Sequence, residues 1–464
     1  MRVGKAGAST ANITPPGKVQ GYGGQAMRRG PKDSDLLAHA VVISNGQETA
    51  AIVSVDVVAI SRGQVLAIQE RCELRTGIPA RNVFIGATHD HSAPHAAPMF
   101  VAGAAPDPLF LETLADQLVD VVQTAHEDLR PAVIAAGQAP TQGITFNRRL
   151  LKPDGTTLHV AGLQESPEAI DFDPNLPPAG PVDEDVGYIM FEEPDGTPIA
   201  CLMSFSCHDH ASGAGYFHRD MFGRAGQAIQ DRLGLQIPTP FLAGACGDTM
   251  WVDPKAGMSE SNDPTKYWVD KKNARDKQGW IDQAAFCWEL GYKIADAVLQ
   301  DVKQKTRIEI SGICTAVKLL EIPDRPAIES EYCDDLCRGY SDSATQFARN
   351  RYAPEKEAVS DRGETTCVVE VGALAISDYV VVSTNPAEYF VAYGLEIKNR
   401  SPFEVTIISE LTNGYCGYVP TEEAFPQKGY ETHRTVFQSR LVKIGGRIIA
   451  EACIDLLDQC KVRS

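Results

Sequence analysis

The feature that most constrains this chain is a pair of histidine clusters, each placed directly after an apolar run. Thr88–Ser92 follows the run 82–87, and Cys207–His210 follows the run 199–205. In an extended backbone, residues two apart point the same way, so the two histidines of the first cluster would share one side. Two strands that end in such groups can build a divalent metal site at a sheet edge.

Imidazole is a good ligand for zinc, and a catalytic zinc needs three or four protein ligands plus a position for water. Of the ten histidines, six lie in the two short segments 89–95 and 208–218. The alternative interpretation is a pair of solvated histidine loops. The clustering favours a metal or catalytic site.

Composition excludes several function classes. The chain has 464 residues, 43% of them hydrophobic and 22% charged, which is ordinary for a globular protein. Its net charge of −18 argues against nucleic-acid binding, since phosphate backbones attract a surplus of lysine and arginine. We expect a small-molecule substrate, and the sequence permits a homo-oligomer.

Localisation signals are also lacking. We expect no transmembrane segment, because no apolar stretch is long enough, and we expect no signal peptide at the start of the chain. The twelve cysteines are scattered and are interpreted as reduced, mostly buried thiols. Cys333 and Cys337 form only a weak metal or redox signal. Cytoplasm is therefore the expected location.

Hydrophobic periodicity predicts an α/β fold of mixed sheets with flanking helices in a single domain, 1–464. The turn at Asn45-Gly46 predicts a hairpin, and the helix that follows predicts a β-α-β unit. No internal repeat is visible. The predicted strands are 36–43, 50–57, 82–87, 131–137, 188–191, 199–205, 240–243, 379–384 and 405–411. The predicted helices are 61–75, 109–126, 222–233, 283–302 and 445–460.

Three segments stand apart from this pattern. The charged segment 324–363 is poor in strands and is interpreted as helical cover or an insertion. The segments 150–187 and 252–280 are rich in proline, aspartate and glycine, and we expect them to wall the substrate cleft. Trp251 and Trp268 are candidate contact surfaces there.

Several polar groups follow predicted strands. His89, His208, Glu388 and the turn at Gly244 all lie just past a strand end, with Glu388 placed at a helix start. Ligands bind at the carboxyl edge of open α/β sheets, so these residues are expected to converge.

A series of motifs resembles the catalytic domain of the neutral/alkaline, non-lysosomal ceramidase family. The resemblance extends over almost the whole chain. Its motifs are Asn12–Pro15, Val53–Asp56, Ala87–Ser92, Phe146–Arg149, Ser206–His208, Arg219–Gly223, Gly244–Asp248, Asn385–Glu388, Asn413–Thr421 and Gly429–Glu431.

The resemblance implies a mononuclear zinc amidase. The metal ligands of the family match His89, His208, Glu388 and Tyr418. The histidine that matches His91 would transfer a proton. Residues that match Arg148 and Tyr430 would lie near the scissile carbonyl, where they could stabilise an oxyanion.

Other residues receive lesser roles. Asp56 and Asp220 are expected to orient the metal histidines. His95, His210 and His218 are candidates to line the pocket. The turn 244–248 is either a backbone nest for an anion or a plain tight turn.

The sequence also departs from the family. The family carries a further C-terminal β-sandwich and a run T-H-T-H-S-G-P-G, whereas residues 88–95 here read T-H-D-H-S-A-P-H. We therefore expect a soluble, compact N-acyl substrate in preference to ceramide. The alternatives are the same site acting on an ester, a lactone or an N-acetylated sugar, and a non-catalytic binding protein that has kept the fold.

Overall fold

The computed structural model describes residues 4–21, 26–27, 35–101, 105–160, 173, 175–210, 216–254, 283–326 and 354–463. Three mixed sheets form the framework of this part of the chain. In spatial order, the first sheet contains Val83–Ala87, Thr49–Val55, Leu37–Ser44, Lys5–Asn12 and Arg130–Pro131. The second contains Phe241–Ala243, Pro198–Phe205, Asp185–Glu192, Val133–Pro140 and Ile308–Glu309. The third contains Cys314–Pro323, Thr366–Ala375, Val380–Thr384 and Val405–Ser409 in sequence order.

Four two-stranded ladders accompany the sheets. They pair Val19–Gln20 with Ala26–Met27, Arg149–Leu151 with Thr157–His159, Phe146–Asn147 with Thr249–Met250, and Glu388–Tyr389 with Tyr418–Val419. The last ladder is parallel and contributes to the candidate site.

The three sheets have the same topology. In each of the stretches 5–127, 133–302 and 314–463, hereafter the three units, a first strand is followed by an antiparallel hairpin, a crossover helix, a fourth strand and a closing helix. The fourth strand pairs in parallel with the third. The sequence shows no repeat, so the repetition lies in the topology alone.

In the described part of the chain, each unit has one helix after its third strand and one after its fourth. They are Arg62–Thr76 and Pro108–Glu127, then Asp220–Leu233 and Gln283–Val302, then Val391–Arg400 and Gly445–Arg463. A shorter helix, Ala424–Gln427, and the 3-10 turns Ala80–Asn82 and Tyr430–Thr432 connect these elements. Local sequence sets the ends of the first helix, where the Ser61 side chain accepts from the Gln64 N–H and Gly77 adopts a φ of 75°.

The core explains how the units hold together. One apolar cluster takes side chains from all three sheets, including Ile52, Phe191 and Ile407. Three other clusters fill the space between each sheet and its own helices. Each sheet is therefore apolar on both faces, with one face toward the other sheets and one toward helices.

Hydrogen bonds between strand ends connect the units further. The hydroxyl of Ser54, next to last in its strand, donates to the carbonyl of Phe241 at 2.6 Å. Ser204, at the equivalent position of the second unit, donates to the carbonyl of Ile408 at 2.7 Å. Asn413 accepts from the backbone N–H of Ile85 and joins the third unit to the first.

The predicted α/β class and each strand and helix predicted from periodicity are confirmed, with ends shifted by a few residues. Three long strands were missed: Lys5–Asn12, Cys314–Pro323 and Thr366–Ala375. The placement of Glu388 at a helix start is wrong, because Glu388 lies in a short strand and the helix begins at Val391.

Other predictions are tested in part. In the described residues, ten cysteines are buried free thiols, while Cys333, Cys337 and Trp268 lie outside those residues. Of the segment 324–363, residues 354–362 are helical. No helix in the described ranges is both long enough and apolar enough to cross a bilayer.

The shared core gives a stability prediction. Ile407 is fully buried and belongs to the third sheet, and its side chain lies against Gly187 of the second sheet. We expect Ile407→Ala to lower the free energy of unfolding by about 2–5 kcal/mol, because the cavity would open between two sheets. Ile444→Ala, at a half-exposed position, should change it by no more than about 0.5 kcal/mol. Urea unfolding measures both, and equal effects would contradict a shared core.

Candidate metal centre

Two imidazoles from different sheets face each other at the strand ends. His89 follows the first sheet's edge strand, and His208 follows a strand of the second sheet. His89 has a φ of 64°, so the backbone turns sharply there. The Nε2 atoms of the two rings are 3.1 Å apart.

Backbone carbonyls fix the orientation of both rings. The Nδ1 atom of His89 lies 2.9 Å from the carbonyl of Val58, and that of His208 lies 2.8 Å from the carbonyl of Cys246. A carbonyl only accepts hydrogen bonds, so each Nδ1 carries the proton. Each Nε2 is left with a free lone pair that points into the cluster, as metal-binding histidines require.

The third unit supplies a carboxylate and a phenol. Glu388 and Tyr418 are register partners in the parallel ladder, which places their side chains next to each other. Glu388 Oε1 accepts from the Tyr415 hydroxyl at 2.7 Å. Glu388 Oε2 is buried without a hydrogen-bond donor, although it lies 3.3 Å from His89 Nε2 and 3.5 Å from His208 Nε2. The Tyr418 hydroxyl is 3.4 Å from His208 Nε2.

These separations fit a metal ion. Ligand atoms bound to a tetrahedral zinc at about 2.0–2.1 Å lie roughly 3.3 Å from one another. Glu388 Oε2 is buried without a hydrogen-bond partner among the described residues and faces both Nε2 atoms, an arrangement that a bound cation would satisfy. The donor set of His89, His208, Glu388 and Tyr418 therefore suits a divalent ion.

The protonation states agree with that fit. Burial lowers the pKa of His208 to about 3, and the charge of Arg148 lowers it further, so the ring is neutral. Burial raises the pKa of the Glu388 carboxyl, but the facing imidazoles outweigh burial and hold it below its usual value. Neutral imidazole and ionised carboxylate are the forms that bind metals.

His91 belongs to the same cluster. Its Nε2 atom lies 3.2 Å from that of His89, and the imidazoles of His89, His91 and His208 can together hold an ion. The expected convergence of His89 and His91 is thus observed, although the left-handed conformation of His89 produces it in place of an extended strand. Burial lowers the pKa of His91, and nearby histidines lower it further.

An arginine and two tyrosines lie on another side of the cluster. The Arg148 guanidinium is 5.5 Å from the ring centroids of both Tyr418 and Tyr430, whose hydroxyls hydrogen-bond to each other. Arg148 donates from Nε to Glu431 at 2.9 Å and from a terminal nitrogen to the carbonyl of Gly247 at 2.7 Å. All of these residues are buried or nearly so, which makes their charges effective.

Glu431, which was not among the predicted site residues, connects this group to a second arginine. Its carboxylate also accepts from Arg149 at 2.8 Å and lies 3.4 Å from His159 Nε2. The charges of the two arginines hold the pKa of Glu431 well below its usual value, despite burial. Its position next to Tyr430 in the motif was the available signal. His159 belongs to the segment 150–187, so the described part of that segment lies against the site.

The roles expected for two aspartates are wrong. Carbonyls, and not Asp56 or Asp220, orient the His89 and His208 rings. Asp56 accepts from the backbone N–H of Leu37 at 2.8 Å. Asp220 lies in a separate buried group with Asp90 and Asp209, where burial raises the pKa of the latter two and repulsion from Asp220 raises it further.

The residues and the turn that were predicted to line the pocket lie in different surroundings. The His210 ring lies 4.7 Å from that of His91, while His218 Nδ1 accepts from the backbone N–H of Asp220. His95 and Trp251 are both buried. The turn 244–248 uses its amides within the protein, since those of residues 244, 246 and 247 bind Phe205, Glu410 and Tyr389. Three of its five amides are thus occupied within the protein, which favours a tight turn over an anion nest.

Comparison with known proteins identifies the fold. No family model matches the chain, and no curated protein sequence matches it. The neutral ceramidase from Pseudomonas aeruginosa is similar in structure, with a TM-score of 0.70 and 15% identity over 100% of this chain and 75% of that chain. A ceramidase complexed with C2 is similar at a TM-score of 0.70 and 14% identity, over 100% and 76%. The chain has a neutral ceramidase-like fold.

Close packing of Gly247 against the strand Glu388–Tyr389 gives a second prediction. A Cβ atom at Gly247 would lie 2.5 Å from the carbonyl oxygen of Glu388, so that backbone would have to move. We expect Gly247→Ala to weaken metal retention at least tenfold, measured by competition with a chelator. Gly63→Ala is the control, because that site has open space and an ordinary backbone. Unchanged retention in Gly247→Ala would show that Glu388 does not hold the ion.

Proposed function

We propose that the protein is a zinc-dependent hydrolase that cleaves an amide bond of a small N-acyl substrate. The observation that carries the proposal is the convergence of His89, His208, Glu388 and Tyr418, with Glu388 Oε2 buried and lacking a donor. The structural likeness to ceramidases supports amide hydrolysis as the reaction class.

Nitrogen ligands with one carboxylate and one phenol suit zinc better than an ion that prefers oxygen. Bound there, zinc would lower the pKa of a coordinated water toward neutrality and polarise a carbonyl oxygen. The chain supplies the rest of the environment, which is buried and rich in fixed donors. Such preorganised groups stabilise charge that develops during a reaction.

Arg148 and Tyr430 would stabilise the oxyanion of the tetrahedral intermediate. Glu431 and the carbonyl of Gly247 hold the guanidinium in place, so it need not reorient during the reaction. The hydrogen bond between Tyr430 and Tyr418 ties the second donor to the same cluster. Losing one such donor typically costs a factor of about 10²–10³ in kcat.

His91 would carry the proton to the leaving nitrogen. Its ring is kept neutral by burial and by its histidine neighbours, so it can take a proton from the attacking water and then release it. It stands beside the metal-facing lone pairs. Loss of a general acid–base residue costs about 10²–10⁴ in rate.

The surroundings favour a compact and polar substrate. His210 lies beside His91, and His159 lies across Tyr430 at a ring distance of 5.5 Å. Polar rings at these two places would hydrogen-bond an amide or hydroxyl group and would not favour a long acyl chain.

The substrate class is tested with the zinc-loaded protein and a panel of short N-acyl amides, matched esters, lactones, N-acetylated sugars and long-chain ceramides. We expect free amine from the short amides at a higher kcat/KM than from ceramides. Faster release of acid from the esters or lactones would assign a different bond to the same site. No turnover of any compound by zinc-replete protein would favour a binding protein.

The roles of two histidines only two residues apart give the sharpest variant test. We expect His89→Ala to lose the zinc, because one Nε2 ligand is removed. We expect His91→Ala to retain one zinc per chain while kcat falls by about 10²–10⁴. Elemental analysis and kinetics on the same samples measure both. Zinc loss in His91→Ala would make His91 a ligand and would contradict the proposed division of roles.

A further inference from the structure

The two histidine clusters contain the same three-residue sequence, with an aspartate between two histidines. The sequence His-Asp-His occurs at 89–91 and again at 208–210. The first histidines of the two triplets face each other across 3.1 Å, and the second histidines pack with ring centroids 4.7 Å apart. The remaining members, Asp90 and Asp209, are both completely buried.

Each of these aspartates has one oxygen that is satisfied and one that is not. Asp90 Oδ1 accepts from the backbone N–H of Ser92 at 2.7 Å, while Asp209 Oδ1 accepts from those of Met221 and Phe222 at 3.1 and 3.3 Å. The Oδ2 atom of each has no hydrogen-bond partner among the described residues. A buried carboxylate oxygen without a donor is costly, and proteins normally pair it or give it to a cation.

A third buried carboxylate, that of Asp220, adjoins Asp209. The N–H of Met221 donates to Asp209 Oδ1 and also to Asp220 Oδ1, at 2.8 Å, so the two carboxylates share a donor. Asp220 is completely buried and has a φ of 44°, a conformation that side chains rarely adopt. Such strain persists only where the surroundings impose it, and it is common at functional sites.

The neighbourhood contains further metal-ligating groups. Ligand atoms of His218, Asp220 and Cys287 all lie within 4.8 Å of one another, and all three residues are buried. The Cys287 sulfur is 3.6 Å from Asp220 Oδ1. That group contains one carboxylate, but Asp90 and Asp209 bring the number of buried carboxylates in the neighbourhood to three. Carboxylate oxygens suit ions such as Mg²⁺ and Mn²⁺.

We propose that Asp90, Asp209 and Asp220 hold a second divalent cation, of the class that prefers oxygen ligands, beside the imidazole cluster. The cation would satisfy both orphan Oδ2 atoms and neutralise mutually repelling carboxylates. The two His-Asp-His triplets would then contribute to two ion sites, with the histidines at one site and the aspartates at the other. The inference depends on the aspartates alone and does not require amide hydrolysis.

The experiment counts two different metals. Protein stripped with a chelator is loaded with one equivalent of Zn²⁺, titrated with Mn²⁺, desalted and analysed for both elements, with bound Mn²⁺ followed by electron paramagnetic resonance. We expect one zinc and one manganese per chain in the wild type. Retention of no manganese by zinc-loaded wild type would overturn the proposal, and would indicate that protons neutralise the aspartates instead.

Variants separate the two sites. We expect Asp220→Asn to keep zinc and lose manganese, and His89→Ala to lose zinc and keep manganese. Asp183→Asn is the matched control, because that buried carboxylate is paired with Lys398, and it should keep both metals. Asp209→Asn replaces Asp220→Asn if the latter fails to fold.

The outcomes remain distinguishable from those of the proposed function. Manganese bound without zinc would remove the zinc hydrolase proposal and leave this one intact. Manganese retained by both Asp209→Asn and Asp220→Asn would place it elsewhere and refute the assignment.

Discussion

The apolar core shared by the three sheets is the constraint on which the site depends. His89, His208 and Glu388 come from three different units, and none of them can reach the others unless the sheets are fixed relative to one another. The cluster that joins Ile52, Phe191 and Ile407 provides that fixation. Close-packed interiors transmit small displacements, so a change in the core would shift the ligand atoms.

Topological repetition explains why the polar groups meet. In each unit the third and fourth strands are parallel, so their carboxyl ends lie at the same edge. The first unit contributes His89 after its fourth strand, while the second and third contribute His208 and Glu388 after their third strands. The hydroxyls of Ser54 and Ser204 donate hydrogen bonds to backbone carbonyls of the neighbouring units and hold these sheet edges together. A single unit could supply one ligand, whereas three units supply a set.

Much of this arrangement could be predicted from sequence, because strand ends are local features. Apolar runs followed by histidine placed His89 and His208 correctly, and the motif resemblance suggested Glu388 and Tyr418, which the structure brings together. The strand Cys314–Pro323 was missed because its residues alternate poorly, with Leu319 exposed at 55%. The threefold topology was also missed, because the units share strand order and not residues.

The orientation of the ligands could not be predicted at all. The carboxylates of Asp56 and Asp220 were expected to orient the histidines. The structure uses the carbonyls of Val58 and Cys246, and any residue type can provide a carbonyl. Glu410 in turn holds Cys246 by accepting from its backbone N–H at 3.1 Å.

That choice has a consequence for the aspartates. Because carbonyls fix the imidazoles, Asp90 and Asp209 are not needed to orient them, yet both are completely buried. Burying an ionised group carries a large desolvation cost, and a chain without a use for it would place an apolar or small residue there. Their presence between the histidines of both triplets therefore requires a separate physical explanation, and a cation shared with Asp220 would satisfy the Oδ2 atoms of both aspartates, which have no donor among the described residues.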